Sequence, residues 1–457
     1  MKNIDAEFMN YIYEYAKSYG NDKVCENFEY KIINCNNAYV SYLFARDIDG
    51  ADIKSHEKIV LDSKDAVLNY LFTRDIKGAD MKAHEKVVLD SNDTEYNYLF
   101  ALNIKGADVN AHEKVILDSK DLEYNYLFAL NIEDADVKAH GKVIADSGDI
   151  KYNYMFADKI KGADIKSHGE VIIESKNLDF NYEFAKNMKD ADIRKHGQVI
   201  IDSGDLVYNY RFARNIDGAD IASHEKIILD SKDAESNYYF VKEIAETNIR
   251  EHGQAVIDSK DPLYNYYFAR DFKESDIKAH EKIVIDSGAV GVNYFFALQV
   301  EVADIKAHEK VILDSKKLDA CCDFARYIKG ADIAAHQKVI IDSKDVEYNY
   351  YFARDIEGID IRPHELIVLD SKNVVYNYLF ARNIKGADIM AHFKIVVDAR
   401  DYEYIDKFKY FIDDRYYVSD ENRCQDIINN GINKLLNQDN YDSEDEKAKK
   451  IVLKKEL

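Results

Sequence analysis

All thirteen histidines of this chain stand on one comb: His56, His84, His112, His140, His168, His196, His224, His252, His280, His308, His336, His364 and His392, each 28 residues from the last. Imidazoles bind metals and move protons, so the comb first has to be tested as a row of sites. Spacing argues against a shared ion. Stacked helices lie about 8–10 Å apart, whereas two imidazoles on one zinc need Zn–N bonds of about 2.0–2.1 Å. On a helical wheel His56 falls between Ile53 and Val60, on the apolar stripe, and Phe28 takes the corresponding slot near the N-terminus. The column therefore reads as buried structural histidine, whose nitrogens need hydrogen-bond partners. A second column supplies candidates: Asn69, Asn97, Asn125 and onward to Asn377, broken at Cys321. Buried Asn next to buried His predicts a polar seam that fixes the register of neighbouring helices.

Three further columns carry chemistry-bearing side chains. Tyrosine recurs at Tyr42, Tyr70, Tyr98, Tyr126 and onward to Tyr378, with Cys322 once. A base often follows four residues later, as at Arg46, Arg74, Arg214, Arg270, Arg354 and Arg382. One helical turn between Tyr and Arg permits cation–π stacking. On the wheel Tyr126 points nearly opposite Phe128, away from the shared core. Two readings follow: inter-helix packing, or an aromatic–cationic binding stripe of the residue types favoured at interfaces. Between the Tyr and the Phe lies a variable column: Leu71, Leu99, Leu127, Met155, Glu183, Arg211, Tyr239, Tyr267, Phe295, Asp323, Tyr351 and Leu379. Where the rest is held fixed, a varied position is either a contact surface or an unconstrained one. The candidate partner-binding residues are Tyr210, Arg214, Tyr238, Tyr239, Tyr266, Tyr267, Arg270, Phe295, Tyr350, Tyr351 and Arg354. Lastly, an Asp closes the second helix of most units (Asp62, Asp90, Asp118), with Glu174 once. A lone acid per unit makes a poor calcium cage, which needs about 6–8 oxygens. A turn or a pairing with the base four residues before, as Lys58 with Asp62, is the expected role.

These columns need rigid elements to carry them, and the 28-residue unit provides two helices. Residues 121–148 read DLEYNYLFALNIEDADVKAHGKVIADSG. The first stretch, helix A, runs from about Asp121 to Ile132, with Tyr124, Phe128 and Ile132 on one face. The turn usually reads Lys-Gly-Ala, as at Lys105, Gly106 and Ala107, and glycine past a helix is an expected stop. Helix B follows an N-capping Asp such as Asp108; its face carries Val109, His112, Val115 and Ile116. A Ser-Lys-Asp or Ser-Gly-Asp turn ends it. The two prolines fit this register: Pro262 opens a helix A, and Pro363 falls in the first turn of a helix B.

Thirteen such units fill residues 37–400. Residues 1–36 read as a degenerate N-terminal capping repeat, with Ile12 to Gly20 echoing helix A. Residues 401–457 read as a C-terminal helical cap and charged tail. There, 401–413 is one more helix A carrying Phe408, Ser419 is an N-cap, and Ser443 with Glu446 makes a capping box. The pattern FARxIxGADIxxHxxVIxDS, as in residues 380–399 with variations, resembles short helical-hairpin repeats of uncharacterised bacterial and large-virus proteins. The unit shares the helix–turn–helix logic of tetratricopeptide, HEAT and armadillo arrays but is shorter. That resemblance implies an all-α solenoid, right-handed by analogy, and says nearly nothing about activity.

The chain has 457 residues, a formal charge of −23, two prolines and no tryptophan. Such charge opposes a phosphate-backbone ligand or an anionic membrane. Cys25, Cys35, Cys321, Cys322 and Cys424 form no metal or disulfide pattern. No apolar run approaches the roughly 20 residues of a membrane span, and the N-terminus lacks a signal-like apolar stretch; the expectation is a cytoplasmic protein. No phosphate loop, nucleophile elbow or HExxH is present. The sequence therefore points to a non-catalytic scaffold without cofactor or metal, binding a protein or peptide along helix A. The alternative is an acidic decoy that occupies a nucleic-acid-binding protein.

Overall fold

The computed structural model describes residues 11, 13–15, 17–18, 23–245 and 247–416. From Lys23 onward every regular element among the described residues is a helix, from Lys23–Cys35 to Tyr402–Tyr416. The chain is an all-α array of two-helix repeats with the expected 28-residue period.

It forms two compact units. In the first, residues 1–228, the A helices are Ala38–Asp47, Ala66–Asp75, Thr94–Asn103, Leu122–Asn131, Ile150–Lys159, Leu178–Asn187 and Leu206–Asn215. In the second, residues 229–457, they are Ala234–Glu243, Pro262–Asp271, Val290–Gln299, Leu318–Tyr327, Val346–Asp355 and Val374–Asn383. Within each unit a helix A packs on its own helix B and on the next helix A. The core between them is one Phe and one Ile or Val per repeat, as Phe128 with Ile144 and Phe296 with Ile312, all fully buried.

Local chemistry sets the helix ends. Asp121 caps helix A by accepting from the Tyr124 N–H at 3.0 Å, and Asp108 caps helix B by accepting from the Ala111 N–H at 3.1 Å. Ser119 closes the turn between them: its hydroxyl donates to Ile116 O and accepts from the Asp121 N–H. Pro363 alters this scheme. It stands at the third position after Asp360, where other repeats offer an N–H to the cap, so Asp360 accepts from Arg362 instead and the helix begins at Arg362. Pro262 occupies the first turn of its helix A, as expected.

The turn after helix A differs from expectation. Its C-cap is an extended isoleucine, such as Ile132 or Ile216, which turns back into the core. The glycine comes two residues later, at φ +87° for Gly106. It relieves a left-handed turn and does not stop the helix. Left-handed C-caps do occur after helix B, where Lys64, Lys120 and Lys344 occupy the conformation that Gly148 and Gly204 adopt more cheaply.

The helix expected at 401–413 runs Tyr402–Tyr416 and buries Phe408. Ile12, Gly20, the Phe28 side chain, Ser419, and Ser443 with Glu446 lie outside the described residues.

Candidate functional site

The histidine column is the innermost polar feature of the fold. Every one of the thirteen is at most 1% exposed. Nδ1 of His112 lies 2.7 Å from Asn97 Oδ1, and the same bond recurs at His84–Asn69, His140–Asn125, His308–Asn293 and His392–Asn377. The asparagine fixes the tautomer. Asn97 Nδ2 donates both to Val88 O and to Asp93 O, so its oxygen faces the ring and the His112 Nδ1 must carry the proton. Each Asn thus ties its own helix A to the preceding helix B and to the following histidine. A phenylalanine packs against the same ring, as Phe100 on His112 with centroids 5.0 Å apart and planes tilted by 30°. Desolvation pushes the imidazoles well below their ordinary value of 6.5, to about 4 for His112, His140, His280 and His308.

The second ring nitrogen lies beside a glutamate of the preceding repeat. Glutamates stand beside several histidines in the sequence, and adjacent helical positions point about 100° apart. The glutamate instead reaches the histidine of the next repeat. Glu85 Oε1 lies 3.7 Å from His112 Nε2, Glu309 Oε1 3.2 Å from His336, and Glu281 and Glu113 Oε1 3.3 Å from His308 and His140. The same oxygen accepts the N–H of the next N-capping Asp, as Asp108 N to Glu85 at 2.5 Å. A base three residues earlier holds the other oxygen: Lys82 on Glu85 and Arg362 on Glu365, both at 2.8 Å. The 28-residue period read across repeats, and not within one, is the signal that would have revealed this pairing.

Among the described residues no three His, Cys, Asp or Glu side chains come together in a way that could hold a metal. No helix among them is long and apolar enough to cross a membrane.

Of the two readings of the tyrosine column, the structure shows packing between A helices. Tyr238, Tyr266 and Tyr350 were placed by the wheel on an outward face, yet they are only 2, 4 and 2% exposed. The wheel considers one helix against one partner. In this fold helix A has a neighbour on its flank too, and the tyrosine fills that A–A interface. Its hydroxyl latches onto the next helix A: Tyr238 donates to Asp271, Tyr266 to Gln299, and Tyr350 accepts from Asn383. Tyr210 is half-buried.

The expected cations do lie over the rings. Arg270 sits 5.4 Å from the Tyr266 centroid and 4.9 Å from Tyr267; Arg354 sits 5.4 and 4.8 Å from Tyr350 and Tyr351; Arg214 is 5.8 Å from Tyr210. Arg270 and Arg354 are also forked onto Asp271 and Asp355. The Arg270 guanidinium holds the Asp271 carboxyl down to about 2. These charges are already spent inside the fold.

Surface on helix A comes from the variable column. Tyr239 is 38% and Phe295 46% exposed, with Tyr267 half-buried on the helix between them. Tyr267 packs on Tyr238 with centroids 5.7 Å apart, so the column is braced from below by the buried tyrosines. The chain matches no protein-family model and no curated protein sequence.

Proposed function

We propose that this chain is a non-catalytic, cytoplasmic repeat scaffold, akin to the short helical-hairpin proteins of bacteria and large viruses, that binds a protein or peptide along helix A. The observation that supports this best is the run Tyr239, Tyr267 and Phe295 on three successive A helices, Ala234–Glu243, Pro262–Asp271 and Val290–Gln299. Two of these large aromatics stand substantially in solvent on a supporting layer of buried tyrosine. Aromatic anchors over a rigid base are the usual centre of a protein interface. The net charge of −23 disfavours direct nucleic-acid binding.

Tyr239→Ala with Phe295→Ala tests the reading. Pull-down from source lysate followed by mass spectrometry should lose the partner with the double variant, at unchanged far-UV circular dichroism. Unchanged capture counts against the aromatic run. Capture that instead vanishes on modest addition of salt would favour an acidic decoy.

A further inference from the structure

The carboxylate that meets each histidine is missing from some repeats. Where others have Glu57, Glu85, Glu113, Glu281 or Glu309, four have Gly141, Gly169, Gly197 and Gly253. A Cβ built at these glycines would lie 3.4–3.5 Å from Nε2 of His168, His196, His224 and His280, so each glycine removes the glutamate side chain from beside the imidazole. The base three residues earlier is kept in all four: Lys138, Lys166, Arg194 and Arg250.

At Gly253 the result is a cavity of about 420 Å³, lined by Gly253, Arg250, Ser275, Asp276 and His280 among others. His280 is fully buried, its Nδ1 is bonded to Asn265 Oδ1 at 2.7 Å, and its Nε2 has no hydrogen-bond partner. Ser275, which replaces the alanine found at the equivalent Ala107 and Ala303, has a buried hydroxyl that is likewise unpartnered. The Asp276 N–H is the equivalent of the donors that reach Glu85 and Glu281 from Asp108 and Asp304 at 2.5 Å. Arg250 is the equivalent of Lys82 and Arg362, which hold the second carboxylate oxygen.

We infer that the Gly253 notch is a binding site for an aliphatic carboxylic acid, its oxygens held by the Asp276 N–H and Arg250 in the way the neighbouring repeats hold their own glutamate, and a proton taken up with it bridging to His280 Nε2. The glutamate side chain beyond Cα is propionate, so the fold supplies its own template for the ligand. The site lies on the helix-B side and is independent of the aromatic run on helix A.

Binding is linked to a proton. Asn265 Nδ2 donates to Val256 O and Asp261 O, so its oxygen keeps the His280 proton on Nδ1 and Nε2 presents a lone pair. A carboxylate at Nε2 therefore brings one proton with it. The other charged groups facing the notch are Arg250, Glu274 and Asp276, and the Asp276 carboxylate is engaged as N-cap to the Ala279 N–H.

The test uses the full chain and sodium propionate, with sodium chloride and propionamide as controls. The readout is the His280 ring in two-bond proton–nitrogen correlation spectra, assigned by its loss in His280→Gln. Propionate should shift the His280 Nε2 signal saturably toward the protonated range. Its affinity should fall about tenfold per pH unit above the pKa of carboxylic acids. Gly253→Glu should abolish the shift by filling the notch from within. Should that variant fail to fold, Arg250→Glu, at an exposed position, should weaken propionate about tenfold. A capped glutamyl peptide binding more tightly than propionate would identify the occupant as a peptide side chain; propionate binding as well as the peptide would identify a free short-chain acid. A His280 signal that ignores propionate, or that responds equally to chloride, to propionamide or in Arg250→Glu, overturns the inference.

Discussion

His308 donates from Nδ1 to Asn293 Oδ1 at 2.7 Å, whereas His336, one repeat on, faces Cys321 and its Nδ1 has no partner. Cys321 Sγ reaches Ile312 O only at 3.9 Å, so the helix-B carbonyl also loses the close bond that an asparagine would give. The seam has a fault at this repeat, as it does at His56, where Ser41 stands in the asparagine position and its hydroxyl and His56 Nδ1 are both buried without a partner. Cys321→Asn should repair it and raise stability by about 1–2 kcal/mol, and Asn293→Cys should lower it by a similar amount. Urea unfolding of the two variants measures this; a destabilised Cys321→Asn would mean that the seam contributes nothing to stability.

The acid limb of stability should be steep. A histidine whose folded pKa lies below its unfolded value is protonated only in the unfolded chain across that interval. His112, His140, His196, His224, His280, His308 and His364 fall to about 4 from 6.5, through burial. Their contribution is complete above about 6.5 and is lost as pH falls toward 4. Asp271, held at about 2 against an ordinary 3.8, loses its contribution only in the lower window between those values. Denaturation midpoints measured from pH 7.5 to 3 should drop mainly between 6.5 and 4, with uptake of several protons. A flat profile down to pH 4.5 would contradict the buried neutral seam.

Lys120 and Lys344 end their helices at φ 57° and 56°, in the left-handed region that disfavours a side chain. Gly148 and Gly204 occupy the equivalent place. Lys120→Gly and Lys344→Gly should each stabilise the fold by about 0.5–1 kcal/mol. Thermal melts of the single and double variants check the sign, and the two increments should add, since the positions belong to different compact units.

Tyr238 and Tyr239 are neighbours in sequence with opposite roles. Tyr238 is buried and latched to Asp271 at 2.5 Å, while Tyr239 is exposed. Tyr238→Ala should cost about 3 kcal/mol or more, and Tyr239→Ala no more than about 1 kcal/mol. The comparison decides which substitutions are clean probes of partner binding. Equal losses at the two positions would place Tyr239 in the packing layer as well.

The repeat, its two helices, their capping aspartates and the burial of histidine beside asparagine were legible in the sequence. Each depends on local spacing or on a period that a single chain displays. For tyrosine the sequence left two readings open, packing between A helices or a binding stripe, because a helical wheel knows one partner and this helix A has another along its flank. The approach of Glu85 to His112 was not legible, since those residues are 27 positions apart and meet only when consecutive B helices lie side by side. The same holds for the notch at Gly253: the sequence shows a glycine where its neighbours have glutamate, but only the packed repeats show which histidine loses its carboxylate. Sequence periodicity determined what each helix buries; the juxtaposition of one repeat with the next decided what the buried polar groups touch.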